Sequence, residues 1–135
     1  MKREKSSSNL GLALLRIGAS ALIMTHGYGK LQMLLSDEEI QFGDPIGLGI
    51  KTSFVLAMIS EFIAPILVII GFKTRWATIP PIITMAVAAF IAHSGDPINV
   101  KEMALLYLIA FITIALLGPG KYSVDGAMAK KKYFI

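Results

Sequence analysis

Residues 76–95 read WATIPPIITMAVAAFIAHSG, and residues 103–120 read MALLYLIAFITIALLGPG. Neither stretch contains an Asp, Glu, Lys or Arg. An α-helix rises about 1.5 Å per residue, so about 20 apolar residues cross the roughly 30 Å hydrocarbon core of a bilayer. Both stretches therefore predict helices that span a membrane.

The composition of the whole chain also indicates a membrane protein. Of its 135 residues, 55% are hydrophobic and 16% are charged, and the mean hydropathy is +0.67. A soluble domain usually has about 25% charged residues. The chain contains no cysteine, which excludes disulfides, thiolate metal sites and a redox-active cysteine pair. The net charge of +4 is interpreted as membrane topology, with no nucleic-acid partner.

Two further apolar segments carry ionisable residues and bring the number of predicted spans to four. The predicted fold class is all-α, an integral membrane four-helix bundle. Its spans are expected at about residues 10–35, 52–72, 76–93 and 102–118, within a transmembrane domain of residues 10–120. Residues 1–9 and 121–135 are predicted to be cytoplasmic tails, and the second tail is basic.

The basic residues predict the orientation of the bundle. Nine of the 13 lie in the two tails or in the turn between spans two and three. They are Lys2, Arg3, Lys5, Lys73, Arg75, Lys121, Lys130, Lys131 and Lys132. Basic residues collect on the cytoplasmic side of membrane proteins. We therefore expect a multi-pass protein of the inner (plasma) membrane with both termini in the cytoplasm.

Six ionisable residues have no role in this topology: Arg16, His26, Lys30, Glu61, His93 and Glu102. A charge at the centre of a membrane helix costs about 2.5–3.5 kcal/mol, so such side chains should face the interior of the bundle. Counting residues from the predicted helix ends places Arg16 and Glu61 at similar depths. The sequence therefore predicts an ion pair between them, either as a purely structural contact or as part of proton handling.

The other four ionisable residues are predicted to converge at the outer end of the bundle. Their positions near the ends of spans one, three and four give His26, Lys30, His93 and Glu102 a similar depth. We treat all four as candidate catalytic residues, and His26 and His93 as candidate cofactor-binding residues. No metal site is assigned, because a zinc site on His26, His93 and Glu102 would rest on depth alone.

Several short motifs occur in order along the four spans and resemble one family of proteins. They are Leu14-Leu15-Arg16, His26-Gly27 with Lys30, Glu61, Gly71-Phe72 with Thr74-Arg75-Trp76-Ala77, His93, Glu102, and Gly118-Pro119-Gly120-Lys121-Tyr122-Ser123-Val124-Asp125-Gly126. In this order the chain resembles, over about residues 12–126, the DoxX family of small four-helix bacterial and archaeal membrane proteins. The resemblance implies a membrane component of a redox complex, because the family is named after a subunit of an archaeal thiosulfate:quinone oxidoreductase.

The leading functional hypothesis is a redox-associated subunit that binds a quinone between its helices. In this hypothesis His26 or His93 donates a proton to a carbonyl, Lys30 stabilises negative charge, and Glu102 exchanges protons with the outer side. The electron donor would be a partner redox protein, since the chain has no cysteine and no nucleotide-binding glycine motif.

The alternatives belong to other classes of protein. The chain is alternatively a non-catalytic membrane anchor or assembly partner of a larger complex, in which the buried charges only specify packing. Haem ligation by His26 and His93 is a weaker variant, because only their shared depth supports it. A small transporter is a third possibility, but four short helices without an inverted repeat would form a carrier only if the protein oligomerises. Membrane lipids and a second copy of the chain are the expected partners besides a redox protein.

Overall fold

The computed structural model describes residues 2–134, with side chains for residues 3–130, and all the regular structure in this part of the chain is helical. The outermost residues of the two predicted tails, Met1 and Ile135, lie outside the described residues. The helices are α1 (Lys2–Leu35), α2 (Ile50–Ile70), α3 (Thr74–Ala92), α4 (Ile98–Leu117) and α5 (Val124–Phe134). Residues 2–9 and 124–134, predicted to be tails, are therefore helical.

Helices α1 to α4 are each long and apolar enough to cross a membrane, which confirms the prediction of four such helices. Their packed core contains Ile23, Val68, Phe111 and Ile114, all fully buried. Large apolar side chains also cover the outside of the helices, as Leu14, with 76% of its surface exposed, illustrates. A helix that is apolar on all sides suits a lipid environment, because lipid replaces water around its outer face.

Helices α2 and α3 each contain one turn of π-helix, at Ile59–Ile63 and Ala88–Ala92. At the second of these, the His93 N–H donates to the Ala88 carbonyl, five residues earlier, at 3.0 Å. A π-turn changes the direction of the side chains around it and is frequent at functional sites. Glu61 lies inside the first π-turn and His93 directly follows the second.

Arg16 joins three segments of the chain at one end of the bundle. It is 1% exposed and donates through Nε to the Val68 carbonyl at 2.7 Å. Its terminal nitrogens donate to the carbonyls of Ile69 (2.8 Å), Pro119 (2.8 Å) and Tyr122 (2.9 Å). Val68 and Ile69 belong to the last turn of α2, where carbonyls lack helical partners and a cation is favoured. Arg16 therefore caps α2.

The structure corrects the predicted ion pair between Arg16 and Glu61, since Glu61 pairs with Lys30 instead. Helix α1 begins at Lys2 and not near residue 10, so the depth of Arg16 counted from the predicted start is wrong. Gly27 packs against the main chain of Glu61, and Gly27 lies about 16 Å further along α1 than Arg16. Arg16 is thus far from the level of Glu61.

Asp125 caps the next helix at the same end of the bundle. Its carboxylate accepts hydrogen bonds from the Lys73 N–H (2.9 Å), the Thr74 N–H (2.9 Å) and the Thr74 hydroxyl (2.8 Å), at the start of α3. Burial alone raises the pKa of Asp125, but these hydrogen bonds and the charge of Arg16 together bring the pKa below its ordinary value. The Asp125 N–H also donates to the Gly71 carbonyl at 2.8 Å.

These contacts bring the start of α1, the α2–α3 turn and the α4–α5 loop to one end of the molecule. A further hydrogen bond, from the Lys121 N–H to Asn9 Oδ1 at 3.0 Å, joins the loop to the first turns of α1. The Gly118–Gly126 segment noted in the sequence is thus the connection that holds this end together.

Candidate functional site

A cavity of about 480 Å³ lies at the opposite end of the bundle from Arg16, between α1, α2, α3 and the loop of residues 36–49. Most of its wall is apolar. The lining includes Phe42, Ile46, Leu56, Ala57, Ile83, Met85, Val87, Ala88 and Ala92, and the charged or polar residues Lys30, Ser53, Glu61, Thr84 and His93. An apolar cavity with a few polar groups is the usual form of a small-molecule site.

Lys30 and Glu61 form an ion pair in the wall of this cavity, with Lys30 Nζ 2.8 Å from Glu61 Oε2. The Glu61 side chain is 8% exposed and the Lys30 side chain 21% exposed. Gly27 allows α1 to approach α2 closely enough for this pair to form, since a Cβ at Gly27 would lie 2.5 Å from the Glu61 carbonyl carbon. The pair therefore depends on the close approach of α1 to the π-turn of α2.

The loop of residues 36–49 covers the cavity at the end of the bundle opposite Arg16. Phe42 in this loop packs edge-on against Phe54 of α2, with ring centroids 5.3 Å apart, and Lys30 Nζ lies 5.9 Å from the Phe42 centroid. Asp44 anchors the loop to the start of α2, since its carboxylate accepts from the Leu48 N–H, the Gly49 N–H and the Ser53 hydroxyl. Lys30 thus contacts both the wall and the cover of the cavity.

His93 lies at the rim of the cavity and is oriented by Asp96. The His93 Nδ1–H donates to Asp96 Oδ2 at 2.7 Å, and both side chains are about half exposed, at 45% and 46%. A carboxylate that accepts from one ring nitrogen fixes the tautomer and leaves the other nitrogen, Nε2, for a proton or a ligand. The geometry therefore allows His93 to exchange protons between the cavity and the aqueous phase.

The structure brings Lys30 and His93 to one cavity and places His26 and Glu102 elsewhere. The ring of His26 packs edge-on against Tyr107 of α4, with centroids 6.1 Å apart. Glu102 is exposed in the first turns of α4. Within residues 2–134, the structure contains no group of three or more His, Asp or Glu side chains arranged to hold a metal ion.

Sequence reasoning missed three residues that shape this site: Phe42, Asp44 and Asp96. A signal existed for Asp96, because a His followed three residues later by Asp at a helix end is a spacing that allows a side-chain contact. Phe42 and Asp44 gave no comparable signal, since their contacts depend on how the loop of residues 36–49 returns over the bundle.

Four apolar helices, three of which line a mainly apolar cavity that contains an ion pair, define a small polytopic integral membrane protein. Residues 11–94 match the DoxX protein-family model, and the chain belongs to the DoxX family. The matched region includes Arg16, Lys30, Glu61 and His93, and ends before Glu102 and the Gly118–Gly126 segment.

Two relatives extend over nearly the whole chain. An uncharacterized protein of Haemophilus influenzae is 30% identical over 130 residues, which cover 89% of this chain and 92% of the relative. The inner membrane protein YqjF of Escherichia coli K12 is 26% identical over 132 residues, which cover 94% of this chain and 98% of YqjF. No solved structure matches the chain.

Proposed function

We propose that the chain is a redox-associated membrane subunit that binds the headgroup of a quinone in the cavity between α1, α2 and α3. One observation carries the proposal. An ion pair, Lys30–Glu61, lies in the wall of an otherwise mainly apolar cavity of about 480 Å³. Ionisable side chains inside a membrane protein are costly even when they are paired, and they usually mark a functional site.

The residues of the cavity fit the chemical needs of a quinone. A quinone ring needs apolar walls, a hydrogen-bond donor near a carbonyl oxygen, and a group that can accept or supply protons. Lys30 is the donor, Glu61 is the carboxylate that pairs with it, and apolar residues such as Leu56 and Val87 supply the walls. The quinone would supply the two-electron, two-proton chemistry.

The residues of this chain would orient the ligand and move protons. Lys30 would orient a carbonyl and stabilise negative charge on its oxygen, since an ammonium acts strongly where water is scarce. His93, with Asp96 on its Nδ1, would carry a proton between the cavity rim and the outer aqueous phase. His26 and Glu102, which lie away from the cavity lining, have no part in this proposal.

The electron donor would come from a partner redox protein, because the chain has no cysteine and no nucleotide-binding glycine motif. The subunit would therefore act in a larger assembly, either with such a partner or with further copies of itself. If the chain is a non-catalytic anchor instead, the cavity binds no quinone, so a quinone-binding measurement separates the two hypotheses.

A thermal-shift measurement on the purified protein tests quinone binding. We expect a short-chain benzoquinone or naphthoquinone to raise the Tm by several degrees at about 100 times its Kd. Ala92→Phe, which fills the exposed rim of the cavity, should abolish this shift without removing the ion pair. Lys101→Met, which removes a lysine outside the cavity lining, is the matched control and should keep the shift. Equal shifts in all three proteins, or none in the wild type, would contradict the proposal.

We also propose that the Arg16 end of the bundle faces the cytoplasm, in the inner membrane. The basic residues of the tails and of the Lys73–Arg75 turn support this orientation, because their segments meet at that end. YqjF, by its name, is an inner membrane protein. A reporter that fluoresces only in the cytoplasm, fused to the C-terminus, should be fluorescent, and a dark fusion of normal abundance would reverse the orientation.

A further inference from the structure

A second concave surface, on the outside of the bundle, lies between α2 and α3 at the level of the α2–α3 turn. It is a groove of about 300 Å³, and all its lining residues except one are apolar. The exception is Lys73, at the end of the groove. The apolar lining includes Ile59, Ile63, Leu67, Trp76 and Pro80.

The length of the groove matches one leaflet of a bilayer. From Ile59 to Leu67, the wall formed by α2 rises about 12 Å, and half of a roughly 30 Å hydrocarbon core is about 15 Å. Lys73, in the turn just beyond the end of α2, then lies at the level of the lipid headgroups. Trp76 is 76% exposed beside it, in the interfacial position that tryptophan favours.

The backbone at Lys73 is unusual and is held in place by other residues. Among residues 2–134, Lys73 is the non-glycine residue with a positive φ, at φ 47° and ψ 46°. This left-handed conformation is disfavoured for a lysine and persists only where surrounding contacts impose it. Asp125 imposes it by accepting hydrogen bonds from the N–H groups of Lys73 and Thr74.

We propose that this groove is a binding site for a phospholipid with an anionic headgroup. The acyl chain lies along the groove between α2 and α3, and the phosphate meets the ammonium of Lys73. Charge complementarity selects an anionic headgroup, because Lys73 is the charged residue of the groove and is exposed. Lipid is favoured over a second protein copy, because the groove ends at a cation and at an interfacial tryptophan.

Trp76 provides a direct measurement, because it is the one tryptophan of the chain. Brominated acyl chains quench tryptophan fluorescence only at near-contact distance. The protein is reconstituted in phosphatidylcholine vesicles, and increasing fractions of the lipid are replaced by dibrominated phosphatidylglycerol or by dibrominated phosphatidylcholine. The two quenching curves give the relative affinity of the two headgroups at Trp76.

We expect phosphatidylglycerol to be preferred about fivefold at low ionic strength, as one lysine beside an anionic group provides. Lys73→Asn removes the charge, and asparagine tolerates a positive φ. This variant should therefore bind the two lipids with about equal affinity. Lys73→Arg should retain the preference. Lys101→Asn, at the opposite end of the bundle, is the matched control and should also retain it. Raising the salt concentration should reduce the preference of the wild type.

Three results would overturn the proposal. The first is equal quenching by the two brominated lipids in the wild type. The second is a preference for phosphatidylglycerol that Lys73→Asn leaves unchanged. The third is a Trp76 that neither lipid quenches, which would mean that another copy of the chain covers the groove. None of these results depends on whether the cavity binds a quinone.

Discussion

Arg16 satisfies four of its five N–H donors with main-chain carbonyls, and this explains how a guanidinium at 1% exposure is accommodated. Hydrogen bonds from a charged group contribute about 1.5–3 kcal/mol each, but the burial of the charge offsets much of that gain. The main effect of Arg16 is therefore on the specificity of the fold and less on its stability. Its donors are satisfied only when α1, the end of α2 and the α4–α5 loop are packed together.

Replacing Arg16 should destabilise the protein strongly. We expect Arg16→Leu to lower the free energy of unfolding by about 3–5 kcal/mol, because the carbonyls of Val68, Ile69, Pro119 and Tyr122 lose their donor. Arg16→Lys keeps the charge but has fewer donors and should recover less than half of the loss. Unfolding by denaturing detergent in mixed micelles measures both. If Arg16→Lys were as stable as the wild type, the four hydrogen bonds of the guanidinium would not contribute to stability.

The Lys30–Glu61 pair should behave as a coupled unit. Glu61→Gln or Lys30→Met alone leaves a poorly solvated charge or an unpaired polar group, and each should cost about 2–3 kcal/mol. The double variant Lys30→Met/Glu61→Gln removes both charges and should cost less than the sum of the two single changes. Strict additivity in the same unfolding assay would mean that the two side chains do not interact in the folded protein.

At the scale of the helices, the turn between α2 and α3 is stabilised from both sides. Arg16 places a cation at the carboxyl end of α2, and Asp125 places an anion at the amino end of α3. Both arrangements complement the helix dipoles. The two residues come from opposite ends of the chain, so this turn also fixes the first and last segments of the described structure.

The stabilising effect of Asp125 should depend on pH. Its pKa is lower in the folded protein than the ordinary 3.8, so its contribution is complete above pH 3.8 and is lost as the pH falls through the folded pKa. Asp125→Asn should cost about 1–2 kcal/mol at neutral pH, the usual effect of losing a helix cap. Thermal unfolding as a function of pH should show that the difference in Tm between the wild type and Asp125→Asn narrows only below pH 3.8. A difference that widens on acidification would contradict this cap.

Gly27 controls how closely α1 approaches α2. A Cβ at Gly27 would lie 2.5 Å from the Glu61 carbonyl oxygen, whereas one at Gly29 would meet nothing within 4 Å. Gly27→Ala should therefore cost about 1–3 kcal/mol through overpacking. Gly29→Ala should be neutral or stabilise by about 0.5–1 kcal/mol, because alanine favours a helix. Equal stability of the two variants would contradict the close packing at Glu61.

On the scale of the whole molecule, the four apolar helices could be predicted from the sequence, because an apolar stretch of about 20 residues with few or no charges is typical of a membrane-spanning helix. The depth of Arg16 could not, because Ser6, Ser7 and Ser8 read as a polar tail although the structure continues α1 through them. The predicted start near residue 10 differs from the observed start at Lys2 by eight residues, or about 12 Å along the helix axis, enough to exchange one ion-pair partner for another.

The candidate site was only partly predictable for a related reason. His26 and Lys30 are one helical turn apart on α1, and both were expected at the same site. They differ by about 40° around the helix, and the structure directs Lys30 to Glu61 and His26 to Tyr107. The capping role of Asp125, in a segment that looked like a basic tail, depends on backbone hydrogen bonds between distant parts of the chain.

Photolabelling with an azido-quinone tests most directly whether the cavity holds a quinone. The purified protein is irradiated with the probe, with and without an excess of unlabelled quinone, and the labelled peptides are identified by mass spectrometry. We predict that the adducts that the unlabelled quinone suppresses lie on the lining of the cavity, in residues 42–61 of the covering loop and α2 or 83–93 of α3. Adducts spread over the lipid-facing surface of α4, or adducts that excess quinone does not suppress, would contradict the proposed site.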